Sequence, residues 1–124
     1  MTNPVFFFEI PVDDLHRAVS FYERVFGFVF NLKTVDGHEM AFFPRADGQP
    51  GASGALAKGE GYNPSHSGCL VYFDVRRIDD VLRLADAEGV RVLYPKTYVG
   101  EGGFVAEIED CEGNRIGLNE YAVL

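Results

Sequence analysis

A chain of 124 residues and 13.8 kDa forms one domain or a pair of half-size units, and 47% hydrophobic residues with eleven Phe and six Tyr exclude disorder. Eleven Lys and Arg against nineteen Asp and Glu give a formal charge of −8, so nucleic acid and anionic membrane surfaces are poor partners. No apolar run nears the roughly 18 residues of a spanning helix.

The opening Met1-Thr2-Asn3-Pro4 lacks a basic and apolar signal. Cys69 and Cys111 have no metal-ligand spacing and read as free thiols. The expectation is a cytoplasmic protein whose partner is a small molecule, with no nucleic acid and no membrane.

Residues 5–12 (VFFFEIPV) are mostly apolar and aromatic, which predicts a strand. Asp13 or Asp14 can cap the helix that follows. Leu15, Ala18, Val19, Tyr22, Val25 and Phe26 recur at three- and four-residue spacing, one apolar helical face ended by Gly27. Residues 28–33 predict a second strand, Asp36-Gly37 a hairpin turn, and residues 39–43 a third strand. Residues 45–67 hold many of the glycines, with Pro50 and Pro64. Part of that stretch, 54–57, is expected as the fourth strand, and the rest as loop or linker.

The pattern then repeats. At an offset of about 63 residues Val12 falls on Val75, Leu15 on Ile78, Ala18 on Val81 and Val19 on Leu82. With one residue dropped, Gly27 falls on Gly89 and Phe42 on Phe104. Residues 69–75 predict a strand, 78–88 a helix, and 90–94, 103–109 and 114–119 further strands, with Glu112-Gly113-Asn114 as a turn. The second helix has the poorer start, because Arg76 and Arg77 stand where the first half has aspartates. A unit of this size cannot bury its own sheet on both faces, so two units must pair. The expected fold is α+β: two tandem βαβββ units forming an incomplete barrel around a cleft, with repeat one at about 4–57, a linker at about 58–67 and repeat two at about 68–120.

Three stretches resemble the vicinal oxygen chelate superfamily of glyoxalase I, bleomycin-resistance proteins and extradiol dioxygenases. They are Glu9-Ile-Pro-Val-Asp-Asp-Leu15 with Phe21-Tyr22 and Val25-Phe26-Gly27; the closing Asp110-Cys-Glu-Gly-Asn-Arg-Ile-Gly-Leu118; and Pro95-Lys-Thr-Tyr-Val-Gly-Glu-Gly-Gly-Phe104, similar to an uncharacterised glyoxalase-like subgroup. The resemblance implies homodimers, and in metal-dependent members it implies ligands on the first and last strand of each half. Those positions fall here on Phe7, Leu70, Gly117 and, less directly, Ala55. None offers a side-chain lone pair suited to a divalent cation, so no metal and no cofactor are expected.

Strand alternation extends the expected cleft lining from Phe7 to Glu9, from Leu70 to Tyr72 and Asp74, and from Gly117 to Arg115 and Asn119. Glu9 stands in an apolar run, where a charge is costly unless paired. It reads either as a desolvated base or ligand anchor, or as a structural carboxylate satisfied by Tyr72, Asn119 or Lys96. His16 and His66 read as solvated. His38 could pair with Glu9 for acid–base work or a shifted metal site. Lys96 and Thr97 read either as closing the cleft mouth over a ligand or as solvated loop residues. Gly100-Glu-Gly-Gly103 reads as a hairpin loop, because it lacks a phosphate-loop pattern. Neither cysteine has a neighbouring His to make a thiolate.

Two functions follow from the residues and the resemblance together. The first is a binding protein holding a small amphipathic ligand on Phe7, Phe42, Leu70, Tyr72, Lys96, Phe104 and Asn119. The second is a glyoxalase-type lyase or isomerase with Glu9 as the catalytic base. It ranks lower because the electrophilic help a metal gives an enolate lacks its ligands here. An extradiol dioxygenase ranks lower still, for want of His and carboxylate donors.

Overall fold

A computed structural model describes residues 3–121. The chain divides into two units, Met1–Pro64 and Ser65–Leu124. Each is a βαβββ motif with one four-stranded sheet and one helix, so the fold is α+β and the element pattern occurs twice.

Unit 1 runs β1 (Phe7–Pro11), α1 (Leu15–Phe26), β2 (Asn31–Val35), β3 (His38–Phe42) and β4 (Ser53–Ala57). Its sheet order is β1-β4-β3-β2, with β1 parallel to β4 and the other pairs antiparallel. Asp14 caps α1 by accepting from the Arg17 N–H at 3.0 Å, and Gly27 ends the helix at φ 77°, a left-handed residue as the sequence predicts. The buried face is Leu15, Ala18, Phe21, Tyr22 and Val25. Two strands start later than expected, β1 at Phe7 and β2 at Asn31. Phe28 and Phe30 do not extend β2 because they join a ring cluster with Tyr22, Phe26 and Phe43, at centroid spacings of 4.8–6.4 Å. Edge and stacked ring pairs of this kind add about 0.5–1.5 kcal/mol each beyond area burial. Asp36 (φ 50°) and Gly37 (φ 78°) make the tight turn between β2 and β3, whose twist needs two positive φ angles.

Unit 2 runs β5 (Val71–Asp74), α2 (Ile78–Ala87), β6 (Val92–Gly100), β7 (Gly103–Glu109) and β8 (Arg115–Tyr121), in the order β5-β8-β7-β6. β5 starts after Cys69 and Leu70. β6 is longer than expected and takes in Pro95, which an edge strand tolerates at the register shifts found on either side of it. Glu101 (φ 53°) and Gly102 (φ 77°) form its hairpin turn to β7. The N-cap residue of α2, Arg77, makes no side-chain cap. Glu120 of β8 supplies one instead, its Oε1 accepting from the Ile78 N–H at 2.6 Å.

Candidate functional site

Register sorts the side chains of each sheet onto two faces. In unit 1 Ile10, Leu56 and Ala41 lie in one row and are buried on the helix side. Glu9, Ala55 and Phe42 form the next row and therefore face away from α1. On that open face Met40, Ala55 and Ala57 make a small buried cluster, with Phe42 and Tyr62 packed against it. Phe7 adds a second ring 5.9 Å from Phe42. A groove of about 380 Å³ opens there, bordered by Phe7, Phe42, Lys33, Arg45 and Ser53.

Beside the aromatic surface lies a polar group. The Tyr62 hydroxyl donates to Glu9 Oε1 at 3.1 Å. This bond, then burial, then the negative charges of Glu9 and Asp36 hold the phenol proton on and push Tyr62 above its ordinary value. The His38 ring meets Tyr62 edge to face at 5.6 Å. His38 lies against Gly59, where an added Cβ would come within 2.4 Å of its Nδ1. Glu9, Tyr62 and His38 are thus gathered on one face by three different segments. Glu9 is exposed rather than desolvated, and the partner it has within unit 1 is Tyr62.

In unit 2 Tyr72, Glu107 and Gly117 share a row, and so do Asp74, Val105 and Asn119. Their face opposes the one carrying Ala106, Ile108, Ile116 and Leu118, which are buried. Glu107 is buried and ion-paired with Arg115, and Asn119 Nδ2 donates to Asp74 Oδ1 at 3.3 Å. Phe104 pairs with Glu120 and lies on the helix-side face, so it does not accompany Tyr72 and Asn119 as expected. The repeat offset misplaces it. The stretch between α2 and β7 (88–102) is longer than that between α1 and β3 (27–37), chiefly because β6 is longer than β2, and the true counterpart of Phe42 is Glu107. Lys96 goes with Phe104. Its ammonium sits 4.8 Å from that ring and 3.2 Å from Asp79 of α2, so it does not join the row of Tyr72. Thr97 donates to the Pro95 carbonyl at 2.8 Å. Leu70 is half-buried just before β5.

The four positions where the resemblance implies metal ligands do not fit a cation. Phe7, Leu70, Ala55 and Gly117 carry no donor side chain, and Ala55 is fully buried beneath its neighbours. At Gly117 the space is already taken, since an added Cβ would meet the Tyr72 ring at 2.5–2.8 Å. Among the described residues no group of three or more His, Cys, Asp or Glu side chains could hold a metal ion, so Glu9 and His38 are not joined by a third residue of those types.

His66 is an exposed loop residue, as expected, and it also meets a carboxylate. Its Nε2 lies 2.6 Å from Glu109 Oε2, and Arg91 Nη2 donates to the same oxygen at 3.0 Å. The Arg91 bond draws the Glu109 carboxyl below its ordinary range, and the His66 contact adds to this against partial burial. The Ser65 N–H donates to Asn114 Oδ1 at 3.2 Å, fixing the same segment onto unit 2. His16 is exposed, as expected.

With this geometry in place, comparisons with known proteins agree on the architecture. The sequence pattern of the Glyoxalase/Bleomycin resistance protein/Dioxygenase superfamily matches residues 5–118. No curated protein matches the chain in sequence. Among solved structures, a glyoxylase/bleomycin resistance protein/dioxygenase domain from Frankia sp. EAN1pec superposes with a TM-score of 0.73 at 14% identity, covering 98% of this chain and 100% of that one. The fosfomycin resistance protein FosX from Listeria monocytogenes gives 0.71 at 16% identity over 99% and 94%. A glyoxalase I mutant from Zea mays gives 0.67 at 18% identity, covering 94% of this chain and 46% of its own.

Proposed function

We propose, from the premise that the chain belongs to the glyoxalase/bleomycin resistance protein/dioxygenase superfamily, that it binds a small amphipathic molecule on the open sheet face of unit 1 without the metal ion of the metal-dependent members. The observation that carries the reading is the aromatic groove of Phe7 and Phe42 beside Glu9 and Tyr62. It offers apolar area with a few polar groups at its edge, the usual make-up of a small-molecule site. The absence of donors at residues 7, 55, 70 and 117 supports the metal-free part, as does the Tyr72 ring over Gly117. On unit 2, Leu70, Tyr72 and Asn119 stay as candidate ligand contacts of that unit's own open face, whereas Phe104 and Lys96 lie on its helix side. A homodimer in the cytoplasm belongs to the same reading.

The test is elemental analysis of the untagged protein before any chelator treatment, followed by addition of zinc, nickel and iron. The reading expects no stoichiometric metal and no uptake. One divalent ion per chain would overturn it.

A lyase or isomerase with Glu9 as base is the second reading, favoured by the gathering of Glu9, Tyr62 and His38 on one face. Glu9 would take a proton next to a carbonyl, and the Tyr62 hydroxyl, held protonated, would donate toward the oxygen that gains charge. It ranks second because Glu9 is exposed and that donor is already committed to Glu9. Glu9→Gln separates the two. Lost turnover with retained ligand affinity supports the lyase, and weakened affinity with no turnover to lose supports the binder.

A further inference from the structure

The charged residues that line the unit 1 groove itself are Lys33 and Arg45, with Glu9 beside it and Asp47 paired to Arg45. The chain as a whole has nineteen acidic and eleven basic residues, yet the groove is lined by Lys33 and Arg45 and by no carboxylate. Lys33 Nζ lies 5.0 Å from the Phe42 ring centroid, so a cation already stands over the aromatic surface. Arg45 lies over the Phe6 ring at 5.9 Å and pairs with Asp47. Its Nε donates to Asp47 at 2.9 Å, but the two side chains are 62% and 87% exposed, and such surface pairs contribute little. The loop that carries Arg45 is fixed beside the groove, because Ser53 Oγ donates to the Pro44 carbonyl at 2.9 Å. The groove therefore carries two cations beside two rings.

We infer that the ligand of this groove is a flat apolar monoanion, its ring system on Phe7 and Phe42 and its carboxylate or equivalent oxyanion at Lys33 and Arg45. The inference deepens the proposed small-molecule function and rests on it. An arginine guanidinium matches the two oxygens of a carboxylate, and a lysine adds a second charge-assisted bond. A groove of this size accepts a bicyclic ring but few larger bodies.

The test compares 2-naphthoate with its neutral isostere 2-naphthamide by amide chemical-shift titration of the full chain. The expected result is naphthoate binding about tenfold tighter than the amide, as charge-assisted bonds in an open groove give. Lys33→Gln and Arg45→Gln should each erase most of that advantage, and added salt should narrow it. Phe42→Ala should weaken both compounds alike. Equal binding of the two compounds overturns the inference while leaving the binding function standing. A naphthoate preference untouched by Lys33→Gln and Arg45→Gln overturns it too, by placing the anion elsewhere. No binding of either compound at millimolar concentration overturns both the inference and the proposed function.

Discussion

The Tyr72 ring over Gly117 makes a sharp prediction about the position where the resemblance implies a metal ligand. Gly117 sits in β8 opposite Tyr72 of β5, and an alanine methyl there would lie 2.5, 2.7 and 2.8 Å from three ring carbons. Carbon atoms prefer about 3.5–4.0 Å, so the ring must move by roughly 1 Å. Tyr72 is 47% exposed and can turn outward, which keeps the cost toward the lower end of the about 1–3 kcal/mol typical of overpacking. Against this, replacing a strand glycine recovers about 0.5–1 kcal/mol of backbone entropy. Gly117→Ala alone should therefore destabilise unit 2 by about 1 kcal/mol. In a Tyr72→Ala background the ring is gone and only the entropy gain remains, so the same change should stabilise by about 0.5 kcal/mol. The difference is a coupling of about 1.5 kcal/mol, measured by urea unfolding of the four proteins of the cycle. If Gly117→Ala has the same effect in both backgrounds, the ring does not fill that position, and the steric argument against a ligand there fails.

Other expectations concern ionisation and capping. Removing the Glu9 charge by Glu9→Gln should lower the Tyr62 ionisation toward the ordinary value of about 10. Tyrosine-selective carbon NMR across alkaline pH reads this, and an unmoved titration would show that the Tyr62 hydroxyl does not bond Glu9. The depressed Glu109 carboxyl contributes stability that is full above its unfolded-state value near 4.3 and is lost as pH falls through its lower folded-state value. The melting-temperature gap between the natural protein and Glu109→Gln should stay constant above about pH 6 and close progressively below pH 4. A gap that widens in acid contradicts the Arg91–Glu109 arrangement. Glu120→Ala removes the acceptor for the first N–H of α2 and should cost about 1 kcal/mol in urea unfolding, whereas Glu120→Gln should retain part of that.

The alternation of apolar residues made much of the fold readable. Leu15, Ala18, Tyr22 and Val25 announced α1, and the same spacing at Ile78, Val81 and Ala85 announced α2. Asp36-Gly37 marked a turn because few other pairs accept two positive φ angles. The register of Glu9 with Ala55 and of Tyr72 with Gly117 follows from the same repeat. What stayed hidden depends on chain segments meeting across long separations. Tyr62 reaches Glu9 from a stretch with no periodicity, and His66 meets Glu109 from the same glycine-rich region. A glycine-rich loop fixes no direction, so neither partner could be assigned from the order of residues. Glu107 and Arg115 went unpaired for a related reason. The stretch from α2 to β7 is longer than that from α1 to β3, which shifts the repeat and also carried Phe104 onto the wrong face. Glu120 shows the converse, a cap supplied by a distant strand where local sequence lacks one.

The most direct test of the account is an amide chemical-shift titration of chelator-treated protein with 2-naphthoate, repeated with saturating zinc. The account predicts saturable shifts gathered at Phe7, Lys33, Phe42 and Arg45, the same with and without the metal. Shifts that appear only after zinc is added would contradict it, as would shifts gathered at residues remote from unit 1.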